Sequence, residues 1–114
     1  MPPLPVADLA PLDRPIEGKW QVTDLLAVNG NKVRHRVMVD AEARFHTHRG
    51  SDEFFLVLTG EVTIDTRAGG EAGTVTSYTL RPGQMFAVPP GTEHRARCTG
   101  RATLVVIDDI ERLG

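Results

Sequence analysis

The sequence predicts an all-β domain of the sandwich or barrel class, on three observations. From Gly18 onward, short apolar runs are cut by turn signals at intervals of roughly ten residues, the spacing of sandwiches and barrels. Asn29-Gly30 sits between two such runs, and both residues accept the positive φ of a tight hairpin turn. Val33, Val37 and Val39 alternate with Arg34, Arg36 and Met38, a period of two. The strands follow in order. Trp20–Val28 and residues 32–39 flank the Asn-Gly turn, and residues 53–58 stop at Thr59-Gly60. Residues 62–66 lead to a glycine-rich hairpin tip over residues 67–73. Residues 74–80 precede the turn Pro82-Gly83, Met85–Val88 precedes Pro89-Pro90-Gly91, and residues 102–107 form the last strand.

Five of the eight prolines fall within residues 1–15, where each fixes φ and removes a backbone donor. That segment is expected to be an extended N-terminal arm, with one barrel domain over residues 16–114. Hydrophobic residues make up 40% of the 114-residue chain and charged residues 25%, ordinary for one globular domain. A net charge of -2 with scattered basic residues gives no nucleic-acid footprint. The apolar runs are too short to span a bilayer. The start of the chain lacks the basic and apolar segments of a signal peptide. The single cysteine, Cys98, excludes an internal disulfide and fits a reducing compartment. The expectation is a cytoplasmic protein with no membrane or nucleic-acid partner.

The chemistry concentrates in HTHRGSDE, residues 46–53. In a strand, which residues 46–48 are expected to form, residues two apart point to the same face about 6.6–6.8 Å from each other. His46 and His48 can therefore tilt together onto one ion at a metal–nitrogen distance of roughly 2.1 Å. Residues 49–52 can turn the chain, and Glu53 then opens the next strand within reach of the same ion. His94 follows a second turn. Three imidazoles and a carboxylate suit a borderline divalent ion, one of Fe, Mn, Ni, Co, Zn or Cu. The competing reading of a bare H-x-H is a solvated or core-bonded histidine pair. The helix-borne H-E-x-x-H spacing of zinc proteases is absent.

Two longer patterns make the stretch specific. HTHRGSDEFFLVLTG places His46, His48, Glu53 and Gly60 at the intervals of G-x5-H-x-H-x3,4-E-x6-G. GQMFAVPPGTEHRARC matches G-x5-P-x-G-x2-H-x3-N through Gly83, Pro89, Gly91 and His94. These are the two motifs of the cupin family, which the chain resembles over residues 40–98. The resemblance implies a cupin-type double-stranded β-barrel, or jelly roll, with His46, His48, Glu53 and His94 as the ligands of one divalent metal. Asp40 stands where the first glycine is expected and Cys98 where the last asparagine is expected. Neither position carries a metal ligand in the family, so the departures bear on a local turn and a strand-end hydrogen bond. Strand parity agrees with the choice of carboxylate. Glu53, Phe55 and Val57 share one face, whereas Asp52 lies with Phe54, Leu56 and Leu58 on the other.

The resemblance further implies a metal-dependent enzyme of dioxygenase, isomerase or epimerase, or decarboxylase type, acting on a small carbonyl or hydroxyl compound. The alternative is a non-catalytic module that binds a sugar or other effector. An acid–base group beside the ion would come from His35, Tyr78 or Cys98. Each has a plainer reading: a core histidine, a tyrosine packed on the sheet, and a small buried hydrophobe. Arg44 shares parity with His46 and His48 and could meet an anionic substrate, against a solvated face. Arg95, Arg97 and Arg101 read as a solvated basic edge. Open sheet edges and the proline-rich arm favour a homodimer, with the arm laid on the partner.

Overall fold

Asn29 and Gly30 both take positive φ, 51° and 78°, and close the tight hairpin that the sequence predicts. The computed structural model describes residues 3–48 and 50–109. Eight strands follow one another: β1 (Trp20–Val28), β2 (Asn31–Val39), β3 (Glu53–Thr59), β4 (Val62–Arg67), β5 (Val75–Leu80), β6 (Met85–Val88), β7 (Glu93–Arg97) and β8 (Arg101–Asp109). Between residues 3 and 19 the only regular element is the short 3-10 turn Ala10–Leu12. Met1, Pro2, Arg49 of the expected turn over residues 49–52, and residues 110–114 of the expected domain lie outside the described residues. No helix among the described residues is long and apolar enough to cross a membrane.

The strands form two antiparallel sheets, in the orders β1-β2-β8-β3-β6 and β5-β4-β7. Met38, Phe55, Val57, Leu104 and Val106 of the first sheet and Val62, Ile64, Leu80 and Ala96 of the second join in one buried cluster. Each large side chain so buried contributes roughly 1.5–3 kcal/mol relative to exposure. The jelly-roll expectation is met by this architecture.

Directly paired residues in a sheet share a face. Phe55 pairs with Val106 and Val57 with Leu104, and these in turn pair with Arg34 and Arg36. The arginine face of β2 therefore looks between the sheets, and the face carrying His35 and Val37 looks away from them. That outer face is nonetheless closed, with His35 and Val37 only 2% and 1% exposed. Asp13, Arg14, Pro15 and Ile16 line a cavity with Val39 and Arg101 there. Arg101 Nη2 donates to the Arg14 carbonyl at 2.8 Å and to Asp13 Oδ1 at 3.3 Å. Lys19 accepts from the Val39 amide at 2.9 Å.

The two departures from the motifs have local explanations. Asp40 takes a left-handed φ of 45°, the conformation for which glycine is usual and which Asp tolerates better than most residues. Its carboxylate accepts from the Gly100 amide at 2.6 Å, and its own amide donates to the Gly100 carbonyl at 2.9 Å. The Cys98 amide donates to Ala41 O, its thiol reaches Gly100 O at 3.5 Å, and its side chain packs against the core cluster.

Candidate metal centre

His46, His48, Glu53 and His94 come together so that one ligand atom from each lies within 4.8 Å of all the others. Glu53 is the first residue of β3 and belongs to the first sheet, whereas His94 lies in β7 of the second. The group therefore straddles the gap between the sheets. His46 and His94 face each other across an isolated bridge, each amide donating to the other's carbonyl at 2.9 Å. A second bridge joins Glu42 to Arg97, so four steps along the first chain match three along the second. One extra residue in such a pair is a bulge, a device that re-aims side chains. His46 and His48 thus sit in irregular extended chain, not in a regular strand as the spacing argument assumed. The His48 carbonyl is tied to the Gly91 amide at 2.8 Å, which brings the second motif's turn under the first.

The hydrogen bonds set the rings' protonation pattern. A carbonyl oxygen can only accept, so His46 Nδ1 donates to Arg44 O and His94 Nδ1 donates to Thr92 O, both at 2.8 Å. In the neutral rings this leaves a lone pair on each Nε2. These atoms face Glu53 Oε1, at 2.6 Å from His94, 3.0 Å from His48 and 3.8 Å from His46. The His46 and His48 Nε2 atoms are buried without a hydrogen-bond partner, and the 3.0 Å approach of His48 lacks hydrogen-bond direction. Several lone pairs converging on one carboxylate oxygen repel one another unless a proton or a cation lies among them. The donor set, three imidazole nitrogens and one carboxylate, fits a borderline divalent cation. The backbone carbonyls behind His46 and His94 are the outer partners that such ligands use to fix the ring.

Electrostatics point the same way. Burial works to raise the Glu53 carboxyl, and Nε2 protons donated by His46, His48 and His94 outweigh it and hold Glu53 well below the ordinary carboxylate range; a cation among the same nitrogens in place of those protons acts in the same direction. Asp52, its sequence neighbour, is exposed. The site therefore holds its carboxylate as an anion, the form a cation requires.

Of the three candidate acid–base groups, His35 and Cys98 are not brought to this centre. His35 lies on the opposite face of the first sheet from Glu53, beside Arg101 and Asp13. That register corrects its reading as an interior group of the barrel. Burial and the Arg101 charge lower its pKa, against a smaller opposing effect from Asp13. The Tyr78 ring packs on Phe86 with centroids 4.8 Å apart. Cys98 lines a different cavity, with Asp40, Glu61 and Arg97. Arg44 does line a cavity with His46, together with Trp20, Val22 and Arg36. Sequence reasoning passed over Trp20 and Arg36. Their signal was parity with Met38, a core residue on the same face.

The arginines of β7 are also more than a solvated edge. Asp65 is buried and accepts from Arg95 Nε and Arg97 Nε, both at 2.8 Å, and from Ser77 at 2.6 Å. Burial raises the Asp65 carboxyl, and these donors together push it below its usual range. The guanidinium groups of Arg67 and Arg95 lie 3.9 and 4.6 Å from the centroid of Phe45. Phe45 immediately precedes His46, so the network braces the segment that presents the first ligand.

Fold and site together define a small jelly-roll domain with a three-histidine, one-carboxylate cluster between its sheets. The family described as Cupin domain matches residues 33–108, and the chain belongs to that family. The uncharacterized protein YdbB of Bacillus subtilis is 33% identical over 81 residues, 71% of this chain. That match spans 66% of the length of YdbB. Among solved structures, a cupin superfamily protein from Desulfitobacterium hafniense superposes with a TM-score of 0.72 at 22% identity, covering 96% of this chain and 92% of that one. An oxalate oxidase superposes with a TM-score of 0.64 at 19% identity, over 81% of this chain and 51% of that one. At these identities the structural likenesses establish the fold alone.

Proposed function

We propose that the chain holds one divalent transition metal through His46, His48, Glu53 and His94, and that it is a metal-dependent enzyme of dioxygenase type acting on a small carbonyl- or hydroxyl-bearing molecule. The carrying observation is the convergence of imidazole lone pairs on a buried, ionised Glu53. A bound ion of this kind supplies a Lewis acid or an oxygen-binding centre. His46 and His94, fixed by their Nδ1 hydrogen bonds, aim their remaining nitrogens at the centre, and Glu53 offsets part of its charge. Phe55 lies edge-on to the His94 ring and limits water behind it.

Among the reaction types, isomerisation and epimerisation need a proton acceptor beside the substrate. His35 lies on the opposite face of its sheet and Cys98 lines a different cavity, so neither supplies that acceptor, which favours oxidation over those two. The same lack keeps a second reading in play: a non-catalytic module that binds a sugar or effector on the ion. Protein made without affinity-tag histidines should contain close to one transition metal per chain by elemental analysis. No metal recovered under any of several growth metals sinks the metal reading. Oxygen consumption by the iron-loaded protein across a substrate panel separates the enzyme from the binding module. Protons compete for ligating imidazoles, so metal affinity should weaken below about pH 6. An affinity flat down to about pH 5 contradicts three histidine ligands.

The proposal extends to assembly. Leu4 and Val6 are 80% and 93% exposed, whereas Asp13 and Arg14 are held by Arg101 of the same chain. This supports residues 1–15 as an arm whose first part lies on a second copy in a cytoplasmic homodimer. A variant lacking residues 1–15 should run as a monomer in light scattering while the full chain runs as a dimer; equal masses for the two remove the arm from the interface.

A further inference from the structure

On the inner face of the second sheet, the row that carries His94 runs through directly paired residues, from His94 to Thr66 to Thr76. The next row runs from Ala96 to Ile64 to Tyr78. Exposure rises along both. His94 is buried, Thr66 is half-buried and Thr76 is exposed; Ala96 and Ile64 are buried and Tyr78 is 41% exposed. The inner wall that begins at His94 therefore meets solvent on the β5 side.

Two contacts turn Tyr78 inward there. Its register partner, Ile64, belongs to the core. Its ring packs on Phe86, whose own register partner, Phe55, belongs to the core and lies edge-on to the His94 ring at 6.4 Å. Two strand spacings across and two residues along separate the Tyr78 and His94 backbones by about 12 Å. Two side chains that enter the same space from those positions can hold one small molecule between them. Phe86 accounts for the tyrosine ring, but the hydroxyl makes no hydrogen bond among the described residues. Solvation is the plain use of such a hydroxyl; its place on the wall beside His94 gives it another.

We propose that Tyr78 contacts the ligand of the centre, its hydroxyl donating a hydrogen bond to an oxygen of a small molecule bound at the ion. This rests on the metal reading above and adds to it the residue that recognises the ligand. The hydroxyl selects a molecule with an acceptor oxygen to spare, such as a carboxylate, an enolate or a hydroxamate. It supplies a donor, not the proton acceptor that isomerisation needs.

Tyr78 is the sole tyrosine, so a ring-labelled tyrosine gives one magnetic resonance signal that reports on this residue alone. The zinc-loaded full chain is titrated with acetohydroxamate, a small flat chelator, by calorimetry and by that signal. Acetohydroxamate should shift the signal saturably in the zinc-loaded chain and leave it unmoved in chain stripped of zinc. Tyr78→Phe keeps a ring on Phe86, should hold zinc as before, and should bind acetohydroxamate about tenfold more weakly, the scale of one hydrogen bond to a charged group. Thr79→Val removes a hydroxyl from the outer face of the same strand and should bind it unchanged. At full zinc content, an unmoved Tyr78 signal, or equal affinities of Tyr78→Phe and the unsubstituted chain, overturns the proposal and leaves the metal reading standing. A loss in Thr79→Val as large as that in Tyr78→Phe overturns it too, since the effect then belongs to the strand. A chain that takes up no zinc overturns both readings. If Tyr78→Phe fails to fold, the signal of the unsubstituted chain decides alone.

Discussion

Glu53→Gln should reduce metal content from about one ion per chain to near zero, and His48→Ala should do the same, while Asp52→Ala leaves it intact. Glu53 is the one anion of the four, it is buried, and its oxygen is the point on which the imidazoles converge. A glutamine keeps the shape but removes the charge that offsets a divalent cation. The consequence reads out in stability as well as in composition. Metal at about 100–1,000 times its dissociation constant stabilises the folded state by about 2.7–4.1 kcal/mol. Adding metal should therefore raise Tm of the unsubstituted chain by roughly 10 °C or more, and chelator should reverse it. In Glu53→Gln neither addition nor chelation should move Tm. Acid should act in two separate stages. Protons compete with the ion for the imidazoles, so the ion leaves first, with Glu53 still ionised. Because the Glu53 and Asp65 carboxyls are depressed in the folded chain, the stability they contribute is fully present above the ordinary carboxylate range. It is lost only as the pH falls below about 4. A single transition near pH 4 that carries both metal loss and unfolding would falsify the assignment of three histidines.

Gly60→Ala is expected to damage the fold far more than its size suggests. Gly60 has a φ of 73°, and a Cβ built there overlaps the Arg101 carbonyl oxygen and lies 2.9 Å from the Ala102 Cα. Both obstacles are backbone atoms at the start of β8, the strand that holds the middle of the first sheet. Relief requires moving that strand, and the left-handed conformation adds its own strain. The expected loss is about 2–4 kcal/mol in urea or thermal unfolding. Gly30→Ala is the control, since its φ of 78° is equally positive but nothing lies within 4 Å of the added atom. It should cost only about 1 kcal/mol. Equal losses at the two positions would mean that backbone conformation, and not the contact with β8, explains Gly60.

Most strands were legible because their ends are written in turn chemistry: Asn29-Gly30, Thr59-Gly60, Pro82-Gly83 and Pro89-Pro90-Gly91 all fall between strands. The clustering of His46, His48, Glu53 and His94 was legible for a different reason, since two motifs fix the intervals. What parity could not supply was the direction of β2. An alternating strand reveals its inner face only when the other face is wet. Here Val37 and His35 are buried on the outside, near residues 13–16, while Arg36 borders an open cavity within. Hydrophobicity thus pointed to the wrong side. The Asp65 network was hidden likewise, because Arg95 and Arg97, two apart on one strand, read as solvent-facing until the buried partner is seen.

The position of β8 has a consequence for the order of assembly. It pairs with β2 from Asn31↔Asp109 to Val39↔Arg101 and with β3 on its other side. On the ribosome, β2 and β3 therefore emerge with unsatisfied edges and wait until residues 101–109 are made. The β1–β2 hairpin is too small to persist by itself. Such long-range pairing places folding on the millisecond-to-second scale. Glu53 and His94 belong to different sheets, so the four side chains converge only after this late strand has docked. Metal capture during refolding should accordingly lag behind hairpin formation, which makes it a clock for the closure of the barrel.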